Sequence, residues 1–404
     1  MTLRKNLITP IFLLVCLQAN FAISQEYVLD PNWPKPLPEG IEWGQVPNVT
    51  IDAEGFIYAF HRSEPPVLKF DPEGNLVDSF GSEVWVTTPH GFRTTPDGNT
   101  IWATDFNAQR GHTITKIDTN GRVLQRFGAR GFSGVGPHTF NGPADVAQAE
   151  DGSFFVADGH WNNRVIKYDK DGRYLMEWGN KGTGPGEFNL PHTIVIDRRG
   201  RVLVGDRANL RIQIFTQEGD YITQWNQFGR PSGMFIDQND ILYVADYQEL
   251  RGVTYGSAED GTVMGFIEGS EPEGIVVDAD GNVYTGEVTG GEGGEGHIIR
   301  KFIKQSTTLG TKYLPSKPKY YSNKAKNAQE AHEAIRPTDV ERVPKDLPNR
   351  LAKSAVQLYE LIWKRTTASQ IENGMDNQVS IDFSSTDSNI ILHASGSRIA
   401  FDGY

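Results

Sequence analysis

The stretch "LPHTIVIDRRGRVLVGDRANLRIQIF", Leu190–Phe215, carries three short apolar runs separated by two turns. The period-2 pattern of "TIVID", "RVLVGD" and "RIQIF" places alternate side chains on one face of a strand, and "RRGR" and "RANL" supply the turns. His192 belongs to none of these runs. It stands directly behind Pro191, and the same placement recurs along the chain.

A proline precedes a short apolar strand in "VPNVTIDAEGFIYAF", "TPHGFRTTPDGNTIWATDF", "GPADVAQAEDGSFFVADGH", "RPSGMFIDQNDILYVADY" and "EPEGIVVDADGNVYTGEV" as well. The prolines are Pro47, Pro89, Pro143, Pro191, Pro231 and Pro272, a period of roughly 40 to 50 residues. Several strands per period point to propeller blades, because one blade cannot bury both faces until its neighbours pack on it. Six copies predict an all-β, six-bladed β-propeller over residues 25–304. The segment "EYVLDPNW" is expected to add an outer strand to the last blade and close the ring through backbone hydrogen bonds.

Composition agrees, with 43 glycines, 22 prolines and 11% aromatic residues in 404. Residues 1–24 have the form of a secretory signal: Arg4 and Lys5, an apolar run too short to span a bilayer, then Ala22 and Ser24 at a cleavage spacing. A secreted or periplasmic location follows. The one cysteine, Cys16, lies inside that signal, so the mature chain offers no thiolate to a metal. Of the net charge of -12, residues 301–404 hold 15 basic and 11 acidic side chains, leaving about -16 on residues 1–300. An acidic ring repels nucleic acid and anionic membrane, so the expected partner is a small peptide or other small molecule, met by a monomer.

In a blade the innermost strand starts at one face of the ring, and the second strand returns to that face. The residues after the prolines, Asn48, His90, Ala144, His192, Ser232 and Glu273, therefore ring the channel mouth. His90, His192 and Glu273 come from blades two, four and six, an approximately threefold arrangement. Two imidazoles and a carboxylate with open positions make a catalytic zinc ligand set. A lone histidine more often caps a strand; three potential ligands on alternate blades favour a metal. Asp158, Asn163 and Arg164, recurring in part as Asp206, Asn209 and Arg211, are expected to hold the loops, as are Asp105, Asp246 and Glu287. His112, His138 and His297 lie outside the repeated slot.

The pattern P-x-G-[IV]-x-x-D-x-x-G-x-[VI]-[YF]-V-[AG]-D-x-x-N-x-R-[IV] resembles NHL repeats. Residues 40–300 are similar to the peptidyl-α-hydroxyglycine α-amidating lyases, most closely from "FNGPADVAQAED" to "LRIQIF". The resemblance implies a zinc-dependent lyase cleaving a C–N bond to give an amide and glyoxylate. In that family the zinc ligands are three histidines, so His90 and His192 match and Glu273 departs. Gly274 departs from an aspartate that serves a calcium site there. Arg62 matches an arginine that binds the substrate carboxylate, and His160 stands where the family has a catalytic tyrosine. A histidine there can act as general base. Other functions open to such a ring are non-catalytic binding of a peptide or glycan, and lactonase-type hydrolysis.

After about Lys304 the repeat stops. Residues 305–404, with "NAQEAHEAIRPTD", resemble type IA DNA topoisomerases, whose motif implies a role for His332 and Arg336 near a DNA cleavage site. The tyrosine-bearing "YMRTDS"-type motif is absent from this sequence, and without that nucleophile no phosphotyrosyl intermediate forms. The segment is expected to be a truncated piece joined to the propeller, with helices over 327–336 and 348–371 and short strands over 378–402.

Overall fold

The computed structural model describes residues 27–85, 88–288, 299–304, 347, 353–370, 375–384 and 391–401. Residues 1–24, His297, His332 and Arg336 lie outside them. The stretch from Leu190 forms three strands of one four-stranded antiparallel sheet, Pro191–Ile196, Val202–Asp206 and Arg211–Phe215, completed by Tyr221–Trp225. The first three strands are almost wholly buried and the fourth is largely exposed, as expected when blades radiate from an axis.

Six such sheets repeat around the ring. The innermost strands are Asn48–Ile51, Pro89–Thr94, Asp145–Gln148, Pro191–Ile196, Gly233–Ile236 and Pro272–Val277. They touch in cyclic order, and Asn48–Ile51 meets both its successor and Pro272–Val277, which closes the circle. The buried apolar residues fall into clusters between adjacent blades. Phe155, Ile194, Val204 and Phe215 fill the gap between blades three and four, for example, and Leu203, Ile214, Met234 and Val244 the next. Each blade thus buries its faces only against neighbours.

The ring closes as the sequence predicts. Tyr27–Leu29 pairs antiparallel with Ile299–Lys304, as the outermost strand of the sheet that also holds Pro272–Val277 and Val283–Glu287. Ile299–Lys304 therefore belongs to the sixth blade. Tyr27 is 5% exposed, its hydroxyl lies 3.2 Å from that of Tyr243, and its ring meets Tyr255 edge-on. Tyr27→Ala is expected to destabilise the ring by about 3 to 5 kcal/mol, the usual cost of truncating a buried aromatic. A thermal unfolding curve within a degree of wild type would show that this strand does not close the ring.

Pro191 and His192 fall inside their strand rather than ahead of it. The pairing explains why alternation missed them: Pro191 faces Asp206 and Thr193 faces Gly205, so His192 is an extra residue, a bulge. The same register shift follows Pro89 and Pro272. His90, His192 and Glu273 thus each sit on a bulge, a device that re-aims a side chain out of the pleat.

A second compact unit contains residues 306–404, separate from Tyr27–Gln305. Its described elements are the helix Lys353–Gln370 and a hairpin of Met375–Ser384 with Ile391–Phe401. Those strands are ten and eleven residues long, not the short ones expected. Consecutive pairing across the hairpin sustains them where local alternation is weak.

Candidate metal centre

The three bulged residues converge. His90 Nε2 lies 3.1 Å from His192 Nε2, and Glu273 Oε1 lies 3.3 Å from the first and 3.5 Å from the second. All three side chains are buried, His192 to 1% exposure. The Nδ1 atoms of His90 and His192 face the carbonyls of Ala144 and Ser232 at 2.8 and 2.7 Å. A carbonyl only accepts, so both Nδ1 atoms carry the proton and both Nε2 lone pairs point at the centre. Arg207 Nη1, 2.8 Å from His192 Nε2, supplies one positive charge beside them, and a metal ion taking the His192 lone pair would replace that contact. Imidazoles anchored through Nδ1–H to backbone oxygen are the usual orientation of metal-binding histidines.

His160 joins this group. The donor atoms of His90, His160 and His192 all lie within 4.8 Å of one another, and His160 Nε2 is buried with no hydrogen-bond partner among the described residues. Gly159 makes the approach possible, because a Cβ there would strike the Pro191 carbonyl. The residues present fit a zinc-like ion, with His90, His192 and Glu273 as donors and His160 Nε2 within reach. The aspartate that serves calcium in the resembling family has no room at Gly274. A Cβ on Gly274 would lie 2.5 Å from Asn48 Cα and 2.7 Å from the Pro47 carbonyl oxygen, so no aspartate can stand there.

Burial, then the charges of Arg207, His90 and His160, pushes His192 well below the usual histidine range; burial, then His90, Arg207 and Arg62, does the same to His160. Burial would raise the Glu273 carboxyl, but its 3.3 Å contact with His90 Nε2 and the charges of His90, Arg207 and Arg62 hold it below its ordinary value. The two depressed imidazoles stay neutral in the folded chain while the unfolded chain protonates near pH 6.5. Stability of the metal-free ring is therefore expected to fall as pH drops below about 6.5, by up to about 1.4 kcal/mol per pH unit for each histidine. Denaturant midpoints that stay flat from pH 7 to 5 would contradict this.

Above the cluster stand side chains from the second repeated slot, where each second strand ends. Arg62 donates through Nη1 to Gln45 at 2.7 Å and lies 5.4 Å from the Phe106 ring centroid; Phe106 stacks on His160 at 4.3 Å. Arg207 Nη1 lies 2.8 Å from His192 Nε2, and its guanidinium lies 4.7 Å from the Tyr247 ring centroid. Sequence reasoning named Arg62 and His160 and missed Phe106, Arg207 and Tyr247. The signal was there: each follows the terminal aspartate of its second strand, at Asp105, Asp206 and Asp246.

Those aspartates hold the loops. Asp206 accepts from the Asn189 backbone, Asn209, Arg211 and Gln213, and Asp158 accepts from the Asn141 backbone, Asn162 and Arg164. The counterpart of Asn209 is thus Asn162, not Asn163; the longer loop of blade three shifts the register, and Asn163 Oδ1 instead accepts from Leu190 N in the next blade. Asp105, Asp246 and Glu287 bind loop amides likewise. His112 accepts from Gly142 N within a loop, and His138 is exposed.

Residues 188–215 match the NHL repeat family, residues 262–291 the strictosidine synthase-like N-terminal family, and residues 294–404 the DNA topoisomerase family. Human NHL repeat-containing protein 3 is 34% identical over 240 residues, covering 56% of this chain and 68% of that protein. Peptidyl-glycine alpha-amidating monooxygenase B of Xenopus laevis is 27% identical over 304 residues, covering 64% of this chain and 34% of that protein. DNA topoisomerase 1 of Rickettsia bellii is 51% identical over 106 residues, covering 26% of this chain and 13% of that protein. With its repeats closed into six blades and a topoisomerase fragment following them, the chain belongs to the NHL-repeat proteins.

Proposed function

We propose that the chain is a secreted or periplasmic, zinc-dependent lyase that cleaves the C–N bond of a carbinolamide such as a peptidyl-α-hydroxyglycine, giving an amide and glyoxylate. The observation that carries this reading is the convergence of two histidine side chains and Glu273 beside guanidinium groups that meet no carboxylate among the described residues. Likeness to the alpha-amidating monooxygenase supports it.

A zinc ion held by His90, His192 and Glu273 would supply Lewis acidity at the substrate hydroxyl. The chain's own residues do the rest. Arg62 and Arg207 clamp the substrate carboxylate, Arg62 with its remaining Nη2 and Arg207 with the Nε that no described residue takes. His160, kept neutral by burial, accepts the hydroxyl proton at Nε2. As the hydroxyl oxygen forms the carbonyl of glyoxylate, the C–N pair goes to nitrogen, and the proton on His160 completes the leaving amide. Phe106 stacked on His160 shields that transfer from water.

The test is glyoxylate release from a synthetic peptidyl-α-hydroxyglycine by the zinc-loaded chain. Release above the metal-free control supports the lyase; none above it leaves a propeller that binds an anionic peptide without turning it over.

A further inference from the structure

The remaining arginines of the propeller interior set a standard. Arg93, Arg164, Arg201, Arg211 and Arg300 each meet a carboxylate at 2.6 to 3.0 Å. Among the described residues, no carboxylate lies within 4.0 Å of Arg62, Arg207 or Arg230. A cation withdrawn from water is costly unless paired, and the buried Arg207 with the half-buried Arg62 and Arg230, none in contact with a described carboxylate, suits an anion from outside the chain.

Arg230 is the one that the lyase reading does not use. It precedes Pro231, whose Cβ would lie 3.1 Å from a Cβ on Gly205, two residues before Arg207. Its backbone amide donates to Asp246, the residue before Tyr247, whose ring carries the Arg207 guanidinium. Burial, then the charge of Arg207, depresses the Arg230 guanidinium, so the two cations feel one another.

Orphaned polar atoms mark the same place. Arg207 Nε, Arg230 Nη1, Ser232 Oγ and His160 Nε2 are buried without a hydrogen-bond partner among the described residues. The other four such atoms, on Trp33, Trp85, Trp178 and Asp240, belong to four different places in the ring. Ser232 occupies the post-proline slot of blade five, between those of His192 and Glu273, and its carbonyl anchors His192. Buried donors are rarely left unpaired, so this concentration points to a ligand that takes them up.

We propose that Arg230, with Ser232 and Tyr247, forms a second anion position beside the Arg62–Arg207 clamp, so that the ligand of this propeller is a dianion with carboxylates on both sides of its hydroxyl-bearing carbon. In the lyase reading, on which this substrate class rests, the second charge is an acidic side chain on the residue preceding the α-hydroxyglycine unit. The second anion position itself stands on the arginines alone.

The probes are glycolate and malate, α-hydroxy acids with one and two carboxylates, titrated calorimetrically into the zinc-loaded full chain at matched ionic strength. Malate is expected to bind at least about tenfold more tightly, the gain of one charge-assisted pair. Arg230→Gln should reduce that ratio to below about threefold, and Arg230→Lys, which keeps the charge and loses the fork, should leave an intermediate ratio. Thermal unfolding checks that each variant folds, and the lysine variant carries the test if the glutamine one does not. Equal affinities in wild type, or a ratio unmoved by both substitutions, overturns the proposal. Glyoxylate release without a malate preference refutes the second position alone; the preference without glyoxylate release refutes the lyase reading alone.

Discussion

His192→Ala is expected to abolish stoichiometric zinc binding by the purified chain, lowering affinity on the order of a hundredfold or more. Zinc sites of this size bind with about 10 to 16 kcal/mol spread over about four donors, so one donor accounts for roughly 3 kcal/mol. His192 has the most burial to lose: it is 1% exposed and held at 2.7 Å from the Ser232 carbonyl. In the metal-free chain the substitution also strips Arg207 Nη1 of its acceptor. Glu273→Gln keeps the shape but removes the charge, and a smaller loss, about tenfold, is expected. The exposed His138→Ala is the control, since it lies outside the cluster. Metal analysis after zinc reconstitution and dialysis reads all three. Wild type without one zinc per chain, or His192→Ala with one, would sink the metal centre.

The repeat made the ring legible because propeller blades bury strands only against copies of themselves. The prolines, the alternation and the length of each period carry that arrangement in the sequence, and even the closing strand at Tyr27 could be read from its position. The post-proline slot identified His90, His192 and Glu273 because the same backbone position recurs on alternate blades. The bulges that aim them could not be read, since a bulge is a mismatch between two strands and alternation describes only one. Arg207 and Tyr247 escaped for another reason. Each looks like an ordinary loop residue in sequence, and the packing of Arg207 between His192 and Tyr247, with its Nε unpaired among the described residues, is visible only in three dimensions. Asn163 was misassigned because blade three has one more loop residue between Asp158 and Arg164 than blade four has between Asp206 and Arg211.

His160→Ala is expected to reduce glyoxylate release by about a hundredfold to ten-thousandfold, the range for loss of a positioned general base, while the chain retains its zinc. A base works only when unprotonated, so the rate should rise with pH through the pKa of His160 and level off above it. Burial and the charges of His90, Arg207 and Arg62 hold His160 well below the ordinary histidine range, which places the acidic limb below about pH 6.5. A tyrosine base would place it near pH 10. Arg62→Lys should act differently: the charge stays, the two-pronged contact with the carboxylate goes, and KM rises while the pH limb holds. Loss of zinc in His160→Ala would move His160 from base to ligand, since a ring nitrogen of it lies within 4.8 Å of the other imidazole donors. Full activity with zinc retained would remove it from both roles, and the unpaired nitrogen between Phe106 and His90 would then have no chemical work in this reaction.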